Sequence, residues 1–280
     1  MEWLTDHKIP IGPWAKAFVD WLTANGTWFF DGLSVGLKTI IDAILWLLQA
    51  PHPLIGIVIV AAIAYAVRRS WPFVGFVVFG LLLILNQGYW KETTETLALV
   101  LAASLVCMGV GVPLGIAAAR RPWLMAAMRP VLDLMQTIPT FVYLIPALIL
   151  FGLGMVPGLI ATVIFAIPAP IRLTHLGISS TPKALIEAGQ AFGATRWQLL
   201  WKVELPYALP QIMAGLTQTI MLSLSMVVIA ALVGADGLGV PTLRALNQVN
   251  IARGFEVGLA IVLIAIILDR LFRAERGGQK

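Results

Sequence analysis

Few residues in this chain carry reactive side chains, and their spacing excludes most bond chemistry. The three histidines are His7, His52 and His175. A hydrolase working inside a membrane needs a Ser–His pair or two aspartates there. Ser223 and Ser225 stand in the apolar run MLSLSMVVIA with no histidine beside them, and serines so placed ordinarily bond to the carbonyl of the preceding turn. Cys107, the single cysteine, lies in LAASLVCMGV. No intrachain disulfide forms, and a buried, inert thiol is the ordinary reading. No Gly-Lys dipeptide occurs, so the phosphate-cradling GxxxxGK[ST] loop is absent. Neither a catalytic residue nor a metal-ligand set is expected.

The stretch suited to mechanical work is EAGQAFGATRWQLLWKVELP, Glu187 to Pro206. Thr181-Pro182 reads as a helix start, with Thr as N-cap and Pro at the first helical position. Ala184, Leu185, Ala188, Ala191 and Phe192 make an apolar face, with Lys183, Glu187 and Gln190 off it. Gly193 breaks the helix where a left-handed turn costs least. A second short helix follows, with Trp197, Leu200 and Trp201 on one side, and Pro206 and Pro210 lead onward. Taken alone, such a segment is usually a solvated connector. Its apolar knobs also suit the groove of a partner.

The elements that position this segment are membrane helices. The chain has 280 residues, 59% hydrophobic and 12% charged, with a mean hydropathy of +0.90, a composition outside the soluble range. A spanning helix needs about 20 mainly apolar residues, and seven candidates lie near 51–67, 72–90, 95–119, 136–153, 157–172, 208–234 and 254–271. Residues 134–171 are uncharged and too long for one helix, and the turn at 152–158 divides them. The N-terminus shows no basic region followed by an apolar core, so no cleaved signal peptide is expected.

With the N-terminus outside, 13 of the 19 basic residues, from Arg68 to Lys280, fall on the cytoplasmic side, as the positive-inside rule expects. The net charge of +5 is then topological, and nucleic acid is not an expected partner. Residues 1–50 differ from the rest. Leu37, Ile40, Ile41, Ile44, Leu45 and Leu48 recur at helical spacing, and Trp3, Trp14, Trp21 and Trp28 add rings that settle at the headgroup level. This predicts an extracytoplasmic, interfacial segment over 1–50 and a membrane domain over 51–280. An eighth span through 33–50 is the alternative, against which Lys38 and Asp42 argue.

An ion-coupled carrier generally needs ionisable groups or an unwound helix near the midplane. The expected span cores contain no Asp, Glu, Lys, Arg or His, and Asp133 and Arg172 sit at span ends within reach of the interface. Gly109, Gly111, Pro113 and Gly115, and likewise Pro168 and Pro170, more often serve packing and kinks.

Glu187, Ala188, Gly193, Leu205 and Pro206 resemble, in type and spacing, the EAA loop of ABC-importer permeases, with Gly189 where a second Ala is usual and Val203 where Ile is. Asp133 to Pro139, Phe141 to Pro146, Ile171 to Thr174, Leu222 to Ala230 and Gly237 to Gly239 are similar to permeases for glycine betaine, proline betaine and choline, and the resemblance covers roughly residues 90–273. It implies an all-α, polytopic membrane helix bundle of about seven transmembrane helices with the type I ABC-importer permease fold. In such systems an ATPase pushes on the loop at 181–206 and works the gate.

The resemblance further implies a homodimer, two ATPase subunits carrying ATP and Mg, a separate extracytoplasmic substrate-binding protein, and no cofactor in this chain. The location implied is the bacterial inner membrane, N-terminus outside and C-terminus inside. A quaternary ammonium is commonly held by aromatic faces, which makes Phe141, Tyr143 and Phe151 candidates for the path, with Met135, Gln136, Ser223 and Ser225. For any one of these aromatics, lipid-facing or packing service is the commoner role. An amino acid such as histidine or proline is the alternative cargo. Outside the family the alternatives are an ion-coupled carrier and a non-transporting scaffold.

Overall fold

The computed structural model describes residues 10–273. Residues 1–9, with Trp3 and His7, and 274–280, with Arg276 and Lys280, lie outside the described residues. Every regular element among the described residues is a helix, in agreement with the all-α expectation.

α1 (Ile11–Gln49) turns by 100° into α2 (Pro53–Arg68), and α3 (Trp71–Asn86) returns to the start of α4 (Trp90–Arg120). α5 (Pro122–Thr137) and α6 (Thr140–Phe151) meet at 96° across Ile138-Pro139. Residues 155–179 form one span from α7 (Met155–Ala166) and α8 (Pro168–Ser179). Next come α9 (Lys183–Ala191), the single turn α10 (Arg196–Leu199), a π-helical turn (Leu200–Glu204) and α11 (Leu205–Ala231). α12 (Gly239–Asn247) and α13 (Ile251–Phe272) complete the chain.

Helix occupies most of each expected span, but the fourth, 136–153, is broken by the 96° corner at Ile138-Pro139, and the count of about seven is not reproduced. By length and composition, four continuous stretches can cross a bilayer: Trp90–Arg120, Met155–Ser179, Arg196–Ala231 and Ile251–Phe272. Counting each bent pair as one span brings these to six at most, and the sixteen-residue α3 is a shorter apolar helix beside them.

α11 is the central element, packed on α8, α7, α4 and α13. Its contacts are built from small side chains: Ala98, Ala102, Ala103, Ala161, Ala208 and Ala230 are all fully buried, the composition that lets helices approach closely where no hydrophobic effect drives them together. Gly115 shows the same logic on α4. A Cβ there would lie 2.7 Å from the Ile171 carbonyl oxygen on α8, and one at Gly111 would lie 2.8 Å from Pro170 Cγ, so these two glycines serve packing, whereas Gly109 has nothing within 4 Å.

Of the segment expected over 1–50, residues 11–49 are helical. α1 is one 39-residue helix, and its second half belongs to the packed body. Leu37 and Ile41 are buried in a cluster with Leu99, Ala103, Leu159 and Ala230, flanked by Leu33 and Ile44. Lys38 and Asp42 do not prevent this, because they lie four residues apart on the opposite, exposed face. The N-terminal half keeps its aromatic rings, Trp14, Phe18, Trp21 and Trp28, largely exposed.

Candidate functional site

The loop between α8 and α11 is shaped by two local motifs. α9 begins at Lys183 with Pro182 as its cap residue, one position later than expected. The Thr181 hydroxyl is buried and caps nothing, since the cap position falls on Pro182, which has no side-chain acceptor.

At its other end, α9 closes on Gly193 in the left-handed region, φ +77°. Gly193 N–H bonds to the Gln190 carbonyl at 2.8 Å and Ala194 N–H to the Gly189 carbonyl at 3.0 Å. These are the paired bonds of a Schellman stop. Two residues on, Gln198 N–H donates to Thr195 Oγ1 at 3.3 Å while Thr195 N–H donates to Gln198 Oε1 at 2.8 Å. This capping box starts α10. The spacing Thr-x-x-Gln was its signal in the sequence.

The second helical segment does not end at Pro206. It runs from Arg196 to Ala231 without interruption. Pro206 offers no N–H and crowds the carbonyl four residues back. The chain meets this by widening to a π turn over Leu200–Glu204, with Leu205 N–H reaching back to the Leu200 carbonyl. Leu200 also leaves the expected face. It is buried with Leu199, while Trp197 and Trp201 stay outside with ring centroids 5.7 Å apart.

Among the expected coupling residues, Glu187, Ala188, Gly193 and Pro206 are exposed, and Gly189 and Leu205 are partly covered. Gly189 faces the end of the Leu199 side chain. A Cβ at that position would lie 2.5 Å from Leu199 Cδ2, so the departure from alanine lets α9 lie on α10. α9 buries no residue, and Phe192 is 93% exposed, with Leu185, Trp197 and Trp201 also open. Apolar side chains displayed in this way mark an interaction surface.

Arg120, whose role the sequence did not reveal, ties this loop to α4. Its Nη2 donates to the Arg196 carbonyl at 3.1 Å and to Glu204 Oε2 at 3.2 Å. Arginines also gather at this end of the bundle. Tyr89, just before α4, donates to Glu256 in the second turn of α13 at 3.4 Å. α2 runs from Gly56, whose added Cβ would lie 3.2 Å from Trp90, to Arg68 beside Arg270, so α4 and α13 run the same way. Burial and the Glu256 carboxylate raise the Tyr89 pKa above its ordinary value. Arg120 ends α4 and Arg270 lies in the last turn of α13, and Arg68 at the end of α2 donates to the Arg270 carbonyl.

The expected path residues are not brought together as one site. Gln136 and Asp133 share one face of the last turn of α5 and hold Arg172 of α8. Arg172 Nη2 lies 2.6 Å from Asp133 Oδ1, and Nη1 lies 3.0 Å from Gln136 Oε1. Gln136 Nε2 points at the Phe165 carbonyl at 3.5 Å. Asp133 and Arg172, expected to reach the interface separately, form this clamp at the α5–α6 corner.

Met135 packs beside Leu132, Ala166 and Ile171. Phe141 is exposed. Tyr143 is half-buried near Leu144, Ala161 and Met226, and its hydroxyl has no partner. Phe151 meets Phe30 of α1 edge to face at 5.6 Å and is occupied in packing. Ser225 donates to the Met221 carbonyl at 3.1 Å, as expected. Ser223 does not follow it; its hydroxyl is buried without a partner.

The described residues thus form a bundle of spanning helices with a capped helix–turn–helix displayed at its arginine-rich end. The chain belongs to the family of binding-protein-dependent transport system inner membrane components, whose family model matches residues 111–274, and it is a multi-pass membrane protein. It is 46% identical to the glycine betaine/carnitine transport permease protein GbuB of Listeria monocytogenes, over 95% of each chain. It is 46% identical to the glycine betaine transport system permease protein OpuAB of Bacillus subtilis, over 94% of this chain and 93% of that one. It is also 44% identical to the glycine betaine/proline betaine transport system permease protein ProW of Escherichia coli, over 96% of this chain and 76% of that one. A chain of the inward-facing MetNI methionine ABC transporter superposes with a TM-score of 0.58 at 24% identity, covering 73% of this chain and 98% of that chain. That likeness concerns the fold alone.

Proposed function

We propose that this chain is the permease subunit of an ATP-driven importer for a quaternary-amine solute such as glycine betaine, proline betaine or choline. The observation that carries the cargo class is the 46% identity along nearly the whole chain to permeases named for glycine betaine. Two copies of the chain pair with two ATPase subunits, which hold ATP and Mg, and with a separate extracytoplasmic binding protein. The chain itself binds no cofactor and breaks no bond.

The loop at 181–206 is the seat of the ATPase. Glu187, Ala188, Gly189, Gly193, Leu205 and Pro206 shape it, and Leu185, Phe192, Trp197 and Trp201 present apolar surface to the motor. Reconstituted in vesicles with the ATPase and binding protein, the chain takes up labelled glycine betaine on addition of ATP. Uptake that ignores ATP and collapses with an ion gradient would identify a carrier instead. Uptake of histidine or proline in place of betaine would move the cargo to an amino acid.

The solute path runs past Met135, Gln136, Phe141, Tyr143, Ser223 and Ser225, while Phe151 packs on Phe30. Aromatic faces there hold a quaternary ammonium by about 0.5–2 kcal/mol per contact, weakly enough for release. Tyr143→Ala is therefore expected to insert normally yet change uptake or substrate-stimulated ATP hydrolysis. Wild-type values for both would remove Tyr143 from the path.

The arginine-rich end carrying Arg68, Arg120, Arg172 and Arg270 faces the cytoplasm, with the aromatic half of α1 on the outer side. In a Cys107→Ala background, a cysteine at Gln190 is expected to react with a membrane-impermeant thiol reagent only after the membrane is opened, and one at Asn25 from outside. Labelling of Gln190 on intact cells would reverse the orientation and remove the ATPase from this loop.

A further inference from the structure

Two long helices, α4 and the continuous stretch from Arg196 through α11, run antiparallel and are tied to each other at both ends. At one end Arg120, the last residue of α4, donates through Nη2 to the Arg196 carbonyl at 3.1 Å and to Glu204 Oε2 at 3.2 Å. At the other end Leu238 N–H, just beyond α11, donates to Thr96 Oγ1 at 2.9 Å in a buried contact. The fit there is tight, since a Cβ on Gly237 would lie 2.6 Å from the same oxygen. Between the ties, Val100 of α4 packs with Ile220, Leu224 and Val227 of α11. From Thr96 to Arg120 is about 36 Å at the helical rise.

The Arg120 tie encloses a weak point. Arg196 is the first residue of α10 and Glu204 the last of the π turn, so one guanidinium nitrogen holds both ends of the segment 196–204. Inside that segment the bonding changes from α to π at Leu200, and Pro206 just beyond it withholds an N–H from the carbonyl four residues back. A helix pushed at one end yields where its bonding is poorest, and π turns of this kind are frequent at functional sites. A brace across the segment makes it move as one piece and carries α4 with it. The ordinary role of a helix-ending arginine is to complement the dipole of the last turn. That role needs no contact with Glu204, whose side chain is held at 16% exposure by this arrangement.

We propose that Arg120 is a positioning residue of the coupling stroke. Its bridge makes α4 follow the loop at 181–206, and Thr96 passes that displacement to residues 234–238 at the opposite end of the bundle. Without the bridge, the π turn absorbs part of the push and α4 stays behind. This rests on the loop being the seat of the ATPase, and it adds the route by which the push leaves the loop.

The test uses the full chain assembled with its ATPase and binding protein in vesicles, with ATP hydrolysis and glycine betaine uptake measured on the same sample. Arg120→Met keeps an unbranched side chain without a donor. It is expected to retain the ATPase and to hydrolyse ATP, while uptake falls about tenfold, within the range of coupling between distant sites. The ATP consumed per solute carried rises by the same factor. Arg120→Lys, which keeps a cation and donors, should recover the larger part of the wild-type ratio, and Glu204→Gln should fall between the two. A helix-ending role alone would lower hydrolysis and uptake together and leave their ratio unchanged. That result would overturn the proposal.

A second measurement needs no transport. In the purified complex, the amides of residues 200–205 are expected to exchange hydrogen about tenfold faster in Arg120→Met than in the wild type, the effect of losing charge-assisted bonds on local opening. Equal exchange in the two proteins would also overturn the brace. If the wild type takes up no betaine on addition of ATP, the cargo reading fails, and the exchange comparison still decides whether Arg120 holds this segment.

Discussion

Gly193→Val is expected to insert and melt like the wild type, yet to lose the ATPase on purification and to lose most ATP-driven uptake. Gly193→Asn keeps the greater part of both. Residue 193 sits at φ +77° with nothing within 4 Å of an added Cβ, so the effect of a side chain there is conformational rather than steric. Asparagine enters the left-handed region readily, whereas a β-branched residue there is an outlier. Holding valine in that region costs about 1–3 kcal/mol, enough to open a turn secured chiefly by the bonds from Gly193 and Ala194 back to Gln190 and Gly189. Once the turn opens, Leu185 and Phe192 on α9 lose their fixed relation to Trp197 and Trp201, and the partner meets two loose halves of a surface. The loss is local because α9 contributes nothing to the buried core. Co-purification with the ATPase and uptake in vesicles are the readouts. A valine variant that retains both at wild-type levels would show that the turn is not the coupling element.

Features of the fold that were legible in the sequence are those written in local chemistry. Uninterrupted apolar runs mark α4, α11 and α13. Gly152 and Gly154 mark the break before α7, with φ of +74° and +134°. Gly193 marks the stop of α9, and the spacing around it marks the coupling loop. What escaped depends on partners far away in the chain. Lys38 and Asp42 argued against an eighth span through 33–50, but nothing local showed that the face opposite them closes on α4 and α7, whose positions no local pattern reveals. Arg120 is an ordinary helix-ending arginine until Glu204, 84 residues away, is found beside it. Gly189 looked like a harmless departure from alanine, and only the position of Leu199 shows why glycine stands there. Pro206 read as a boundary because proline usually ends a helix, but a π turn accommodates it. The path residues were least legible. An aromatic on an apolar helix looks the same in sequence whether it faces solute, as the exposed Phe141 can, or packs on a neighbour, as Phe151 does on Phe30.

The Arg172–Asp133 pair carries the other large expected effect, and it falls on transport rather than stability. With the side chains 36% and 58% exposed, the pair contributes under about 1 kcal/mol to the fold once solvent screening is allowed for, so Arg172→Asp should melt close to the wild type. Its position gives it leverage. Asp133 and Gln136 end α5 just before the 96° corner into α6, and Arg172 lies two turns before the end of α8, which runs into the coupling loop. Through this clamp a displacement of the loop reaches the corner, and α6 beyond it carries Phe141 and Tyr143. Two carboxylates facing each other at 133 and 172 repel, and the corner is freed from α8. Uptake is expected to fall about tenfold, toward the low end of the energies that couple distant sites, while ATP hydrolysis continues. Asp133→Arg combined with Arg172→Asp restores the attraction with the charges exchanged, and it should recover a substantial part of the uptake lost in either single variant. The cycle of single and double variants isolates the pair from other consequences of each change. If the exchanged pair transports no better than the worse single variant, the guanidinium at 172 acts for some other reason. If Arg172→Asp alone transports normally, the clamp transmits nothing, and motion must reach α6 by another route such as the contacts of α7 with α6 and α11.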